Sequence, residues 1–292
     1  MKQRLKKKEG MKKSVRAACL CLLLTLLLPL MRLPAQAATY ATVPLHWSST
    51  ASPSTPSEPA YLIGGVTYVP FRSFCVLADG SAVSWDGATK TARANTGSGA
   101  TVRARVGDEY IMYGERCFYT AAPVRLIKDK LYVPVRPLAA CFGVTVRWNA
   151  SERSVTLTRT GNAPRHDAGV YDADALYWLS RIISAESKSE PFRGQIAVGN
   201  VVLNRVASPQ FPSSIYGVIF DRKHGVQFSP TVNGSIYATP TADAVRAAKI
   251  CLEGVTLSPG ILYFFNPRLA QSHWISAHRT YAFRIGGHEF YY

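Results

Sequence analysis

The apolar positions of this chain change their period several times, and each change marks a boundary. A basic head (Lys2, Arg4, Lys6, Lys7, Lys8, Lys12, Lys13, Arg16) runs into an apolar stretch from Ala17 to Met31, followed by the small-residue site Ala35-Gln36-Ala37. The stretch is short for a bilayer span and its flanks are those of a secretory signal, so residues 1–37 are expected to be removed after Ala37. An uncleaved N-terminal anchor is the competing reading, and both place the remainder outside the cytoplasm. Ser48 to Ser57 is rich in Ser, Thr and Pro without periodicity, and residues 38–59 are expected to form a linker. From 60 to 160 the runs become short and alternate with period two, as in Ser154-Val155-Thr156-Leu157-Thr158. A polar break at 161–171 precedes a helical period that begins at Asp172.

The segment 60–160 repeats itself. Tyr68-Val69-Pro70-Phe71-Arg72 returns as Tyr132-Val133-Pro134-Val135-Arg136, and Val83-Ser84-Trp85-Asp86 returns as Val146-Arg147-Trp148-Asn149. In each copy a turn (Gly64-Gly65 or Lys128-Asp129-Lys130) leads into a strand ending in Val-Pro. A short helix from near the Arg and then the Trp strand follow. Two copies of one β-rich supersecondary unit are predicted.

Beyond the break, Asp172 or Asp174 is a plausible N-cap for a helix whose apolar stripe is Leu176, Leu179, Ile182 and Ile183. Pro191 opens a second helix, from Phe192 or Gly194 to Val206, apolar on most sides and so expected at the centre of its unit. Gly199 within it is the expected point of close helix packing, because glycine otherwise costs a helix about 1 kcal/mol relative to alanine. Thr241 to Glu253, closed by Gly254, reads as a third helix.

Two folded units suit a chain of 292 residues with 47% hydrophobic residues. Removing residues 1–37 takes nine Lys/Arg and one acid from a formal charge of +16 and leaves +8. A basic exported protein is suited to polyanionic wall polymers. Nucleic acid is the weaker reading, since aromatic residues do not interleave with dense Lys/Arg clusters. Cys75, Cys117, Cys141 and Cys251 remain after the leader and lack any CxxC spacing, so no zinc motif exists. One disulfide among the first three would suit an oxidising compartment, and buried thiols are the alternative.

Glu186 continues the stripe Leu179, Ile182, Ile183. A carboxylate there is either badly placed for stability or lies at the floor of a cleft that raises its proton affinity, as a general acid requires. Glu190, before Pro191, reads as a helix-start charge rather than a catalytic group. Gln195, Asn204 and Arg205 are candidates to order a cleft by hydrogen bonds, with a satisfied buried network as the alternative. Sugar grooves use aromatic faces and amides, which makes Gln227, Tyr263, Asn266 and Trp274 candidate groove residues, and Gln195 joins them as a candidate substrate-binding residue.

Two resemblances organise these residues. The Tyr-Val-Pro-x-Arg and Val-x-Trp elements of 60–160 resemble repeats of the domain named after the N-terminus of copper amine oxidases. That segment holds no His and copper(II) sites want imidazole, so no metal is expected; wall attachment and passive spacing are the two readings of it. Ser184-Ala185-Glu186-Ser187-Lys188-Ser189-Glu190-Pro191 through Val198, then Val202-Leu203-Asn204-Arg205-Val206, Gln227-Phe228-Ser229-Pro230, Tyr263-Phe264-Phe265-Asn266-Pro267 and Gly287-His288-Glu289-Phe290-Tyr291, resemble the cell-wall hydrolase family that includes spore-cortex-lytic enzymes. Ser187-Lys188-Ser189 stand where members commonly carry Ala-Arg-Gly.

With the repeats read above, the expected architecture is α+β: a β-rich two-repeat module followed, at 172–292, by the lysozyme-like α+β catalytic domain that the second resemblance implies. The same resemblance implies cleavage between N-acetylmuramic acid and N-acetylglucosamine, with Glu186 as the acid and no cofactor. The expected partners are peptidoglycan glycan strands, with other wall polymers on the module and membrane contact only through an uncleaved leader. The expected location is the cell wall, the extracellular space or the spore envelope. Glycosidases with two carboxylates place the second across the scissile bond. Asp221, Asp243, Glu253 and Glu289, the acids after Glu190, lack an apolar setting like that of Glu186. A single-acid lytic transglycosylation fits better. A metallopeptidase built on His273, His278 and His288-Glu289 lacks HExxH spacing. A Cys-His amidase on Cys251 would need its thiol at a helix start, and a non-catalytic wall-binding protein would have no use for Glu186.

Overall fold

The computed structural model describes residues 40–48, 58–223, 225–270 and 272–292. The signal reading of 1–37, and the Ser/Thr/Pro stretch 49–57 of the expected linker, lie outside the described residues.

Among the described residues the first unit contains thirteen strands and two helices. Its strands are β1 (Ala41–Val43), β2 (Leu45–Ser48), β3 (Ala60–Ile63), β4 (Val66–Pro70), β5 (Ala82–Asp86), β6 (Thr91–Asn95), β7 (Thr101–Arg105), β8 (Tyr110–Tyr113), β9 (Arg116–Tyr119), β10 (Arg125–Ile127), β11 (Lys130–Pro134), β12 (Val144–Asn149) and β13 (Ser154–Arg159). Helix α1 (Phe71–Asp79) follows β4 and α2 (Val135–Cys141) follows β11. Both helices start where the strand meets its proline, which has no N–H to extend the ladder and a φ ready for a first helical turn.

The two copies meet at the antiparallel pair β4 and β11, with Val69 opposite Val133 and Tyr68 opposite Pro134. The order β1-β3-β4-β11-β10 therefore has an approximate two-fold axis between its central strands. Each Trp strand starts a further sheet, β5-β6-β7-β8-β9 in one copy and β12-β13-β2 in the other. Phe71, Phe74, Val69, Val133, Leu138 and Leu157 form the shared core.

The linker expectation is corrected at its start. Residues 41–48 are strands: β1 pairs with β3, and β2 lies parallel to β13. Val43, Leu45 and Trp47 alternate inward, a period-two signal just upstream of the Ser/Thr/Pro run, and their burial adds a strand to the sheet of the second copy. All four described cysteines are free and buried.

In the second unit α3 (Ala173–Ser187), α4 (Phe192–Ala207) and α7 (Ala242–Leu252) form the helical core, with α5 (Ile215–Phe220) and α6 (Pro230–Asn233) between. The sheet β14-β16-β15 closes it, built from β14 (Tyr263–Phe265), β15 (Tyr281–Ile285) and β16 (His288–Tyr291), with the short α8 (Trp274–His278) before β15. The chain is α+β. Among the described residues no helix is long and apolar enough to cross a membrane.

Strands β8 and β9 belong to the first unit by sequence, yet Tyr110 and Cys117 pack in the core of the second. The Tyr110 ring lies 5.5 Å from Phe192. Arg116 Nε donates to Glu253 Oε1 at 2.9 Å and its Nη2 to the other carboxylate oxygen, while Tyr171 Oη donates to the same Oε1 at 2.6 Å. Lys249 Nζ reaches the Glu115 carboxylate at 2.9 Å and its carbonyl at 2.8 Å. Residues 161–171 form no helix or strand, and this stretch lies against the β8–β9 turn, where His166 O accepts from Glu115 N. A Cβ on Gly114 would meet that carbonyl at 2.3 Å, so the turn needs glycine.

Candidate active site

Asp172 caps α3 by accepting from Ala175 N at 2.8 Å, and Leu179, Ile182 and Ile183 are fully buried along it. At Gly199 of α4 an added Cβ would stand 2.8 Å from Ile183 Cδ1 and 2.7 Å from Cys251 Sγ. The missing side chain lets three helices converge on one point. Ser187 Oγ bonds back to Ile183 O at 2.7 Å and fixes the last turn of α3.

Glu186 lies on that last turn, one step along the stripe from Ile183 and half-buried. Its carboxylate makes no hydrogen bond or ion pair with the described residues. Burial alone pushes its pKa up to about 7, because nothing nearby replaces the solvation that the ionised form loses. Near neutral pH the group exists in both forms, the condition for giving a proton and then taking one.

Glu190 behaves differently, and the helix-start reading of it is corrected. Its carboxylate crosses to the β15–β16 turn and accepts from Gly287 N at 2.8 Å. A Cβ on Gly286 would lie 2.0 Å from Glu190 Oε2, and one on Gly287 would lie 2.9 Å from Oε1 and 2.7 Å from Asn266 Nδ2. The Gly286-Gly287 pair thus leaves room for a carboxylate and an amide. Gln195 Nε2 donates to Glu190 O at 3.2 Å, and its buried Oε1 has no partner among the described residues. Gln195 and Asn266 are therefore gathered around Glu190 at the start of α4.

Gln227, Tyr263 and Trp274 are linked through two arginines. Arg205, buried and lowered to about 10 by desolvation, donates from Nε to Leu262 O at 2.7 Å and from Nη1 to Gln227 Oε1 at 3.4 Å. Its guanidinium lies 5.5 Å from the Tyr263 ring centre. Arg279 stands 4.5 Å from Tyr263 and 5.0 Å from Trp274, which is 49% exposed and stacks on His278 at 4.9 Å. Trp274 offers an open ring, whereas Tyr263 is half-covered. Asn204 bonds to Ile261 O at 3.0 Å and is scaffold.

Two features were missed in the sequence. Arg279 carries no motif. The aromatic group Trp178, Tyr216, Phe220 and Tyr237 surrounds α3 about two turns before Glu186, roughly 12 Å along the helix axis. Adjacent Tyr177-Trp178 on an amphipathic helix was the available signal.

The histidines do not converge: His278 Nδ1 lies 2.9 Å from Trp274 O, His273 edges onto Phe265, and His288 is buried against Phe264. Cys251 is sealed among Ile196 and Asn200, and burial pushes its thiol far up.

Residues 189–291 match the family model described as Cell Wall Hydrolase, and residues 50–157 match that of the Copper amine oxidase N-terminal domain. The chain carries a cell wall hydrolase domain. Glu186 lies three residues before the matched segment of that domain. The hydrolase part is similar to a spore cortex-lytic enzyme of Halalkalibacterium halodurans, 37% identical over 142 residues, 49% of this chain and 41% of that protein. A spore cortex-lytic enzyme of Bacillus cereus is 35% identical over 138 residues, 46% of this chain and 52% of that protein. The chain spans about half, or less, of the length of these relatives. Among solved structures, the catalytic domain of the germination-specific lytic transglycosylase SleB from Bacillus anthracis is 35% identical, covers 43% of this chain and 100% of its own, with a TM-score of 0.39.

Proposed function

We propose that the protein is an exported peptidoglycan-degrading enzyme whose hydrolase domain, residues 172–292, cleaves between N-acetylmuramic acid and N-acetylglucosamine by lytic transglycosylation. One observation carries this reading: Glu186 is a half-buried carboxylate without a partner among the described residues, held near pKa 7 by burial, at the edge of a cell wall hydrolase domain. The protonated carboxyl gives its proton to the glycosidic oxygen as that bond breaks. The resulting carboxylate takes the proton of the muramic acid 6-hydroxyl, whose oxygen bonds to C1 and closes a 1,6-anhydro ring. No water is consumed.

The acids from Glu190 onward support a single-acid scheme because each is engaged elsewhere. Glu190 holds the β15–β16 turn, and Asp221 accepts from Lys223 N at 2.9 Å. Asp243 pairs with Arg246, Glu253 with Arg116, and Glu289 accepts from Tyr291 Oη at 2.7 Å. Trp274 and Gln227 are the groove contacts in this reading, with Tyr263, Gln195 and Asn266 behind them as supports. The relatives named as spore cortex-lytic enzymes favour cortex as the substrate.

Muropeptides released from purified cortex and vegetative peptidoglycan by the wild type and by Glu186→Gln test this by mass spectrometry. Anhydromuramic ends from the wild type alone are expected, more from cortex. Reducing ends would mean that water is the acceptor, and release by the variant would remove Glu186 from its role.

A further inference from the structure

Outside the hydrolase domain, a cavity of about 180 Å³ opens between the first turn of α1, strand β5 and the β10–β11 turn. Phe71, Val83 and Leu131 form its floor, and Trp85, 44% exposed, forms one side. The Trp85 indole contacts no other aromatic ring among the described residues. Arg72 is held in place by donating from Nη1 to Val83 O at 2.9 Å. Across the opening, the Asp129 carboxylate makes no hydrogen bond or ion pair with the described residues. Lys130 pairs with Glu58 at 2.7 Å.

The approximate two-fold axis supplies an internal comparison. The turn Gly64-Gly65 of the first copy has φ of 57° and 79°, and the matching turn of the second is Lys128-Asp129 with φ of 48° and 61°. Both are two-residue turns in which left-handed backbone suits glycine and strains a side chain. Lys90 and Arg153, also left-handed, occupy matching turns in both copies, so there the strain is common to the repeat. At 128–129 it is peculiar to the second copy, and it puts the Asp129 carboxylate on the rim of the cavity beside Trp85. The other copy has an equally placed Trp148, 38% exposed, but Pro137 stands where Ser73 does, and its matching turn bears no side chain.

We propose that this cavity binds one N-acetylated amino-sugar ring of the wall glycan. The assignment rests on the glycan reading made above for the hydrolase domain. The Trp85 face receives the apolar C–H face of the ring, and Arg72 and Asp129 supply a fixed donor and a free acceptor for hydroxyl and acetamido groups. Charge selects this occupant over an anionic wall polymer: Arg72 and Lys130 are balanced by Glu58 and Asp129, so the lining is neutral although the protein is basic.

Titration calorimetry of the Glu186→Gln chain with N-acetylglucosamine tetramer tests the site without turnover. Two binding events per chain are expected, one in the catalytic groove and one at Trp85. Trp85→Ala should abolish the second or weaken it at least about tenfold, whereas Trp148→Ala should leave both unchanged. Asp129→Gly should weaken the same event while raising the melting temperature, because glycine relieves the turn. That opposite movement separates a binding role from a folding defect. Unchanged binding in Trp85→Ala, equal loss in Trp148→Ala, or weaker binding of Asp129→Gly accompanied by a lower melting temperature would each overturn the proposal. Product release by the wild type on a soluble glycan checks the catalytic reading separately. Intact release with no Trp85-dependent binding would sink this site alone, and Trp85-dependent binding without release by the wild type would sink the catalytic reading alone.

Discussion

Replacing Glu186 by glutamine should inactivate the protein and stabilise it, and the stabilisation should depend on pH. An acid whose pKa is raised from 4.5 to about 7 on folding binds more protons folded than unfolded across that window. Stability is therefore complete below pH 4.5 and is lost as pH rises to 7, after which the loss is constant. A rise of that size corresponds to about 3 kcal/mol at 1.36 kcal/mol per unit, and screening at a half-buried site reduces this to roughly 1–2 kcal/mol. Glutamine fills the same space and never ionises. At pH 8 the variant should melt higher by about 2–8 °C, using about 2–4 °C per kcal/mol, and at about pH 3.5, below the unfolded pKa, the two melting curves should coincide. Scanning calorimetry of both proteins at the two pH values decides the matter. A pH-independent offset, or a variant less stable at pH 8, would refute the claim that burial raises this carboxyl. The same ionisation should lower wild-type kcat/KM about tenfold per pH unit above 7, where the acid is lost.

Other expectations follow from single contacts. Gly199→Ala should destabilise by about 1–2 kcal/mol in urea unfolding, since overpacking against Ile183 and Cys251 outweighs the gain of alanine in a helix; adding Cys251→Ala should recover part of it. Glu253→Gln should cost about 2–4 kcal/mol because Arg116 and Tyr171 lose a nearly buried carboxylate, whereas Arg165→Ala, in an exposed pair, should lie within about 0.5 kcal/mol of wild type; urea midpoints compare them. Gly286→Ala should displace the Glu190 carboxylate and lower thermal stability by about 2 kcal/mol or more, and Glu190→Gln combined with it should not restore the turn, because Pro191 Cδ would still lie 2.7 Å from the new Cβ. Trp274→Ala, on an open ring, should raise KM for glycan several-fold with the melting temperature unchanged, as steady-state kinetics would show.

What was legible in the chain was what is local. Asp172 announced its helix because a capping oxygen acts three residues away, and it accepts the expected N–H; Thr241, read as the first residue of its helix, is the cap of that helix in the structure. The stripe ending at Glu186 was visible as a period, and the twin Val-Pro and Trp elements located the repeat and the pairs of strands around it. Gly199 was legible because a glycine inside a good helix needs a reason, and Ile183 with Cys251 is that reason. The missed features depend on residues far apart in the chain. Arg116 and Glu253 are 137 positions apart, and no pattern in either segment names the other. Strands β1 and β2 were hidden because three alternating apolar residues are a weak signal beside a long Ser/Thr/Pro run.

The division of labour between Glu186 and Glu190 shows where local reading stops. The two lie one helical turn apart in sequence, both near the corner between α3 and α4. Spacing alone placed Glu186 on the apolar stripe, but it assigned Glu190 to the following helix, where a negative charge suits the dipole. The structure turns Glu190 toward a glycine pair 97 positions away, and the Gly287 N–H satisfies its carboxylate. Glu186, equally close to the helix corner, receives no donor, and burial raises its proton affinity. Having no partner among the described residues is what keeps it available to a substrate in the proposed reaction, whereas the Glu190 carboxylate is already occupied by a backbone N–H. In the proposed reaction the Gly286-Gly287 turn therefore acts indirectly: by occupying Glu190 it leaves one free carboxyl at this corner, and that one carboxyl gives its proton out and takes one back.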